Sequence, residues 1–168
     1  MTLESVLNKR ITTTMDGKYD SVLMAKYIAA YLNDRKASVN ITKVQKLLYI
    51  AYGTYLAIVG DRLVDEHPQA WPYGPVFPTT RNHLSKMNIN LLDISNNIFS
   101  EISKDEDVKG MMNLIYNTFG NLTALSLSEW SHKKDSPWEK TTSKIGFKWG
   151  DQIDDEFIKE YFTEILIR

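Results

Sequence analysis

The sequence of 168 residues contains no cysteine. The absence of thiols excludes disulfides, thiolate zinc sites, iron–sulfur clusters and a cysteine nucleophile. Histidine is scarce as well, since His67, His83 and His132 are the only three and lie far apart in the chain. No metal-binding spacing such as His-Glu-x-x-His therefore occurs. We expect no metal site and no bound cofactor.

Clustered glycines, excess charge and long apolar runs are also missing. The eight glycines are scattered, whereas a phosphate-binding loop needs several close together. With 20 basic and 21 acidic residues, no overall field directs the protein toward nucleic acid. The apolar run at residues 47–60 is too short to span a bilayer. Residues 1–10 lack the pattern of a secretory leader, so we expect a cytoplasmic protein with no membrane or nucleic-acid partner.

What the chain does contain is typical of one soluble globular domain. Apolar residues make up 43% of the sequence and charged residues 24%, and a chain of this length can bury a substantial core. We therefore predict a single domain over residues 1–168.

Apolar residues recur at helical spacing in several segments. The predicted helices run from Asp20 to Arg35, from a Thr42 cap to Gly60, from Thr79 to Lys86, from a Ser103–Glu106 capping box to Gly120, from a Ser126–Glu129 capping box to before Pro137, and over about 154–167. The second helix is apolar on two faces, which indicates a central position. The last helix is expected to close the core. Residues 87–102 are rich in asparagine and are predicted to form a loop.

The segment from Ala70 to Pro78 carries three of the five prolines in the chain, together with Trp71 and Tyr73. Each proline removes a backbone donor and restricts the residue before it, so this segment is predicted to be a rigid loop. Residues 62–65 and 69–73 are predicted to pair as a hairpin that turns near His67. The expected fold class is mainly α (α+β): a compact helical domain with a small β-hairpin and a rigid aromatic and proline loop.

Catalytic chemistry has one weak candidate constellation. Ser128 and His132 are four residues apart on one predicted helix face, and Asp135 follows. No oxyanion element or nucleophile turn accompanies them, so a structural histidine is favoured and the chain is not expected to be an enzyme.

Five motifs follow one another along the chain: Thr-Lys-Val-Gln-Lys-Leu-Leu-Tyr at 42–49, Gly-Asp-Arg-Leu-Val at 60–64, Ala-Trp-Pro-Tyr-Gly-Pro-Val-Phe-Pro at 70–78, Leu-Ser-Glu-Trp-Ser-His at 127–132 and Ser-Pro-Trp at 136–138. Together they resemble one known family, the SocA-like antitoxin domain, also called Panacea, which is common in bacteria and their prophages. The resemblance extends over about residues 20–145. Members often carry Leu-Phe at the position of Leu63 and Val64, and Thr-His at that of Ser131 and His132.

The resemblance implies an antitoxin that neutralises a cognate protein toxin by direct binding, with a further role as a proteolytic adaptor known in the family. An alternative is a phage-derived counter-defence or adaptor protein that binds a host factor. A hydrolase that uses Ser128 and His132 is a weaker alternative, and autoregulation of transcription would require a DNA-binding extension that the sequence does not show.

The candidate partner-binding residues come from two segments that we expect to lie near each other and to form or support the partner surface. They are Trp71, Tyr73, Gly74, Pro75, Val76, Trp130, His132, Pro137 and Trp138. A rigid aromatic loop loses little entropy on binding, which favours recognition. The alternative is that Trp71 and Trp138 are buried plugs and that His132 donates a hydrogen bond to a loop carbonyl.

Overall fold

The secondary structure is mainly helical, as predicted, in the residues that the computed structural model describes, 17–167. Eight α-helices form within this range: α1 (Ser21–Asp34), α2 (Ile41–Val59), α3 (Pro78–Leu84), α4 (Ser100–Lys104), α5 (Glu106–Phe119), α6 (Ala124–Ser131), α7 (Pro137–Thr142) and α8 (Asp155–Ile167). Strands β1 (Gln69–Trp71) and β2 (Gly74–Val76) form one antiparallel sheet. Two 3-10 turns, Ile89–Leu91 and Asn97–Phe99, lie in the segment predicted as a loop.

Helix α2 is the centre of the domain. Residues 43–56 are all buried, which confirms that a helix apolar on two faces lies inside the fold. The Asn40 side chain caps its N-terminus by accepting from the Lys43 amide, so Thr42 is not the cap. The helix ends at Gly60, whose φ of 87° is the left-handed conformation expected after a helix.

Helix α8 packs along α2 and closes the core, as predicted. Its Phe162 is 2% exposed and meets the Tyr49 ring of α2 edge to face, with 5.7 Å between ring centroids. At the other end of the interface, Asp155 accepts hydrogen bonds from the Tyr52 hydroxyl at 2.6 Å and from Arg62 Nε at 2.8 Å. Asp155 therefore joins the first turn of α8 to Tyr52 and Arg62, while Phe162 packs the helix against α2.

The predicted hairpin is wrong in its partners. The segment from Ala70 to Val76, which we expected to be a loop, is itself the hairpin, and Trp71 pairs with Gly74 across a turn of Pro72 and Tyr73. Val64 instead forms an isolated parallel bridge with Tyr19. The proline argument excluded a central strand, but a sheet of two strands consists of edges, where proline is tolerated.

Several helix boundaries differ from the predicted ones because another polar side chain supplies the cap. Asp105 and Thr123 cap α5 and α6, whereas Ser103 and Ser126 lie inside helices. Helix α3 has no side-chain cap of its own and begins at Pro78. Its first amides, those of Thr79 and Thr80, donate to Glu66 at 2.6 and 3.0 Å. Helix α7 was not predicted, since only six residues form it.

The sequence also led us to expect no membrane-spanning segment, no metal site and no secretory leader. Within residues 17–167, no helix has both the length and the apolar character needed to cross a membrane. In the same residues, no three metal-ligating side chains are grouped as a metal ion would require. The prediction about a secretory leader concerns residues 1–10, which lie outside the described part of the chain.

Two glycines inside helices provide a matched test of how tightly α8 packs against α2. A Cβ added to Gly53 would lie 2.2 Å from the Phe162 ring, whereas a Cβ added to Gly110 of α5 meets nothing within 4 Å. We expect Gly53→Ala to lower the free energy of unfolding by about 1–3 kcal/mol through overpacking. Gly110→Ala should raise it by about 0.5–1 kcal/mol through helix propensity. Urea denaturation of both variants checks this, and a stabilised Gly53→Ala variant would contradict it.

Candidate partner-binding site

The tip of the hairpin projects an aromatic side chain into solvent. Pro72 and Tyr73 form the turn, and the Tyr73 side chain is 80% exposed. Gly74 follows with a φ of 117°, a conformation that residues with a side chain rarely adopt. The backbone behind Tyr73 is therefore constrained while its ring remains accessible.

The base of the hairpin rests on helices α2 and α6. A Cβ at Gly74 would lie 2.6 Å from Ser131 Oγ, 3.1 Å from Lys46 Cε and 3.4 Å from His132 Nε2. Pro75 and Val76 are buried behind it. Gly74 is thus required both for its φ and for the close approach of the strand to these side chains.

Trp138 connects the second predicted segment to the hairpin. Its indole Nε1 donates a hydrogen bond to the Trp71 carbonyl at 2.8 Å. The Trp138 ring also lies against His132, with 4.2 Å between ring centroids. The two segments that were expected to lie near each other are therefore in contact. Trp138 donates to one carbonyl of the hairpin, and His132 also contacts the Tyr73 backbone.

Not every candidate residue lies at the hairpin. The ring neighbours of Trp130 are Phe119, Tyr161 and Phe162, so Trp130 belongs to the aromatic contacts of the core. Pro137 is buried as the first residue of α7 and positions Trp138 next in the helix. Trp71 is half-buried, and its indole donates to Gln69 Oε1 at 3.1 Å.

Lys46 of α2 is a buried cation beneath the hairpin. It is 2% exposed, and its Nζ donates to the Pro75 carbonyl at 2.9 Å. Burial, and then the positive charge of Arg81, lower the pKa of Lys46 to about 8. Lys46 lies within the motif at 42–49, and the sequence alone indicated no role for it. A lysine and a glutamine among the apolar residues of a central helix were the signal that could have identified it.

A cavity of about 370 Å³ opens between the hairpin, α2, α3 and α6. Its size falls within the range of about 300–1,000 Å³ that is usual for ligand pockets. Tyr73 and Leu125, which is 70% exposed, lie at its edges. The residues that line it are Thr42, Gln45, Lys46, Trp71, Tyr73, Val76, Arg81, Ala124, Leu125 and Ser128.

The candidate hydrolase residues do not form a catalytic arrangement in the described part of the chain. There the Ser128 hydroxyl makes no hydrogen bond to His132, and the Ser128 carbonyl instead accepts one from Ser131 Oγ at 2.7 Å. Burial, and then the charge of Lys46, lower the pKa of His132, and contact with the Tyr73 backbone only partly offsets this. The backbone amide of Asp135, the third candidate residue, donates a hydrogen bond to the Glu139 carboxylate. His132 therefore contacts Trp138 and the Tyr73 backbone and, within residues 17–167, makes no hydrogen bond to the Ser128 hydroxyl.

Comparison with known proteins points to one family. The family model described as antitoxin SocA-like, Panacea domain, matches residues 44–139, which lie inside the segment of resemblance seen in the sequence. The chain is also similar to the antitoxin SocA of Caulobacter vibrioides (strain NA1000 / CB15N). The two are 31% identical over 153 residues, covering 82% of this chain and 81% of that protein. No solved structure matches the chain. The family match includes the hairpin, Lys46, His132 and Trp138.

Proposed function

Because this chain belongs to the SocA-like antitoxin family with the Panacea domain, we propose that it is an antitoxin that neutralises a cognate protein toxin by direct binding. The observation that carries this proposal is the exposed Tyr73 on a turn whose backbone is fixed from below. Exposed aromatics on a preorganised backbone are typical centres of protein interfaces, because little entropy is lost when they bind.

The proposed binding surface, called the hairpin face below, consists of Tyr73, Leu125, Trp71 and the cavity between them. Two exposed apolar side chains here flank a concave opening that has basic residues inside it. An apolar edge around a polar recess suits a protein partner, since the apolar contacts supply affinity and the recess supplies specificity. Trp138 and His132 support the hairpin face from behind.

The test begins with the gene next to the one that encodes this chain. We expect the product of that gene to stop growth when expressed alone, and co-expression of this chain to restore growth. Affinity purification should then recover the two proteins as a complex. Neutralisation by direct binding would be contradicted if the neighbouring gene product does not inhibit growth. It would also be contradicted if co-expression restores growth and no complex forms.

The same strains separate neutralisation from the proteolytic adaptor role. If this chain acts by binding, the amount of toxin measured by immunoblot after translation is blocked should not fall faster in its presence. Accelerated loss of the toxin would instead show delivery to a protease. Capture of a host protein in place of the neighbouring gene product would favour the alternative function, binding of a host factor.

A further inference from the structure

The cavity of the hairpin face contains positive charge that no acidic residue of the described chain neutralises. Lys46 and Arg81 both line it, and neither an aspartate nor a glutamate does. In residues 17–167, neither cation forms an ion pair with a carboxylate. Burying a lysine without a counter-charge carries a desolvation cost, which a negatively charged group bound in the cavity would offset.

Gln45, the neighbour of Lys46, adds an unused hydrogen-bond donor. Its Oε1 accepts from the Phe77 amide at 2.7 Å, which orients the side-chain amide and leaves Nε2 as its other end. Gln45 is only 2% exposed and lines the cavity. Its Nε2 is buried and has no hydrogen-bond partner in the described residues. Buried donors of this kind are rare because an unmet donor loses its hydrogen bonds to water and gains none in the fold.

We propose that this cavity binds the side-chain carboxylate of a glutamate or aspartate on the toxin, with apolar residues on both sides of that acidic residue. Lys46 and Arg81 supply the complementary charge. Tyr73 and Leu125 contact the apolar neighbours. This inference rests on the proposed function, since it names the chemistry by which the hairpin face recognises its partner.

The positions of the apolar residues favour a side chain over a chain terminus as the source of the carboxylate. Tyr73 comes from the hairpin turn and Leu125 from the first turn of α6, so the cavity has an exposed apolar residue on two different elements. A segment that crosses the opening contacts both of them. A terminal carboxylate would end the segment at the cavity and leave one of them uncovered.

Three acetylated tripeptides that differ in the presence and position of a carboxylate test the proposal without the toxin. They are Ac-Leu-Glu-Leu-NH2, its neutral isostere Ac-Leu-Gln-Leu-NH2, and Ac-Leu-Gln-Leu-OH, which carries a terminal carboxylate. Binding is followed by NMR through the indole N–H signals, with Trp71 at the cavity and Trp130 in the core as an internal reference. We expect the Glu peptide to shift the Trp71 signal and to bind roughly tenfold more tightly than the other two, since hydrogen bonds to charged groups are the stronger ones.

Substitutions identify the groups responsible. Arg81→Met removes the positive charge of an exposed side chain. Lys46→Met replaces the buried cation by an apolar side chain of similar length. Both should reduce affinity for the Glu peptide about tenfold or more. The matched control is Lys86→Met, which removes an exposed positive charge that does not line the cavity and should leave affinity unchanged.

Proton uptake gives a second measurement. The titratable or charged groups around Lys46 are Arg81, His132 and Tyr73, and burial together with Arg81 lowers the pKa of Lys46 to about 8. A bound carboxylate favours the charged ammonium and therefore raises that pKa. Calorimetry near pH 8, in buffers that differ in ionisation enthalpy, should show protons taken up by the wild type and fewer by Lys46→Met.

The proposal would be overturned by equal affinity for the Glu and Gln peptides, by tighter binding of the peptide with a terminal carboxylate, or by unchanged affinity in Arg81→Met. The absence of any shift at about 10 mM Glu peptide would also overturn it, since a Kd of 1 mM gives near saturation there. Because these measurements contain no toxin, their failure is distinct from failure of the growth-rescue experiment.

Discussion

Tyr73→Ala is expected to abolish toxin neutralisation while leaving the fold intact. The side chain is 80% exposed, and within residues 17–167 its hydroxyl makes no hydrogen bond, so its removal should change the free energy of unfolding by less than about 0.5 kcal/mol. An aromatic residue at the centre of an interface contributes about 2–4 kcal/mol, which corresponds to roughly 30-fold to 1,000-fold weaker binding. Growth rescue and the affinity of the purified complex measure the effect, and thermal denaturation measures stability.

The matched control is Leu91→Ala. Leu91 is 79% exposed in the first 3-10 turn and does not line the cavity, so its removal deletes a similarly exposed apolar side chain elsewhere on the surface. It should retain full neutralisation. If Tyr73→Ala rescues growth as well as Leu91→Ala does, the hairpin face is not the toxin contact. If Tyr73→Ala unfolds, Tyr73 is a structural residue.

Phe162→Ala should cause the largest loss of stability. Phe162 is 2% exposed, meets the rings of Tyr49, Trp130 and Tyr161, and covers Gly53. Truncation removes a buried ring and leaves a cavity between α2 and α8, which costs about 3–5 kcal/mol. For a chain of this size, we expect the Tm to fall by roughly 6–20 °C. Urea denaturation gives the free energy directly.

Leu166→Ala is the control on the same helix. Leu166 lies one turn further along α8 and is 38% exposed, so its truncation should cost less than about 1 kcal/mol. Similar losses for the two variants would mean that α8 does not present Phe162 to a tightly packed core. Both variants should still bind the toxin at temperatures where they are folded, because neither residue lies on the hairpin face.

Helical content could be predicted from the sequence because the relevant forces act between residues three or four apart. The apolar repeats in 41–59 and 155–167 predict helices whatever those helices pack against. The starts of helices were less predictable. Several polar residues near each start can accept from the same free amides, and α3 receives its cap from Glu66, twelve residues before Pro78.

The hairpin shows the limit of local reasoning. Proline and glycine correctly indicated a constrained segment from Ala70 to Val76. Local rules could not show that its two halves pair with each other, since pairing depends on which backbone groups meet. Local rules could not predict burial either. Tyr73 and Trp130 are both aromatic residues of the family motifs, yet Tyr73 is exposed and Trp130 packs against Phe162.

By itself, then, the sequence determined the mainly helical class, the family and the stiffness of the aromatic segment, because periodicity, motif order and proline chemistry are properties of neighbouring residues. Only the tertiary structure placed Lys46 under Pro75, 29 residues away, and Trp138 against Trp71, 67 residues away. Those contacts create the buried charge and the exposed Tyr73 of the hairpin face. The physical reason is that desolvation and charge depend on what surrounds a residue in space, which its position in the chain does not specify.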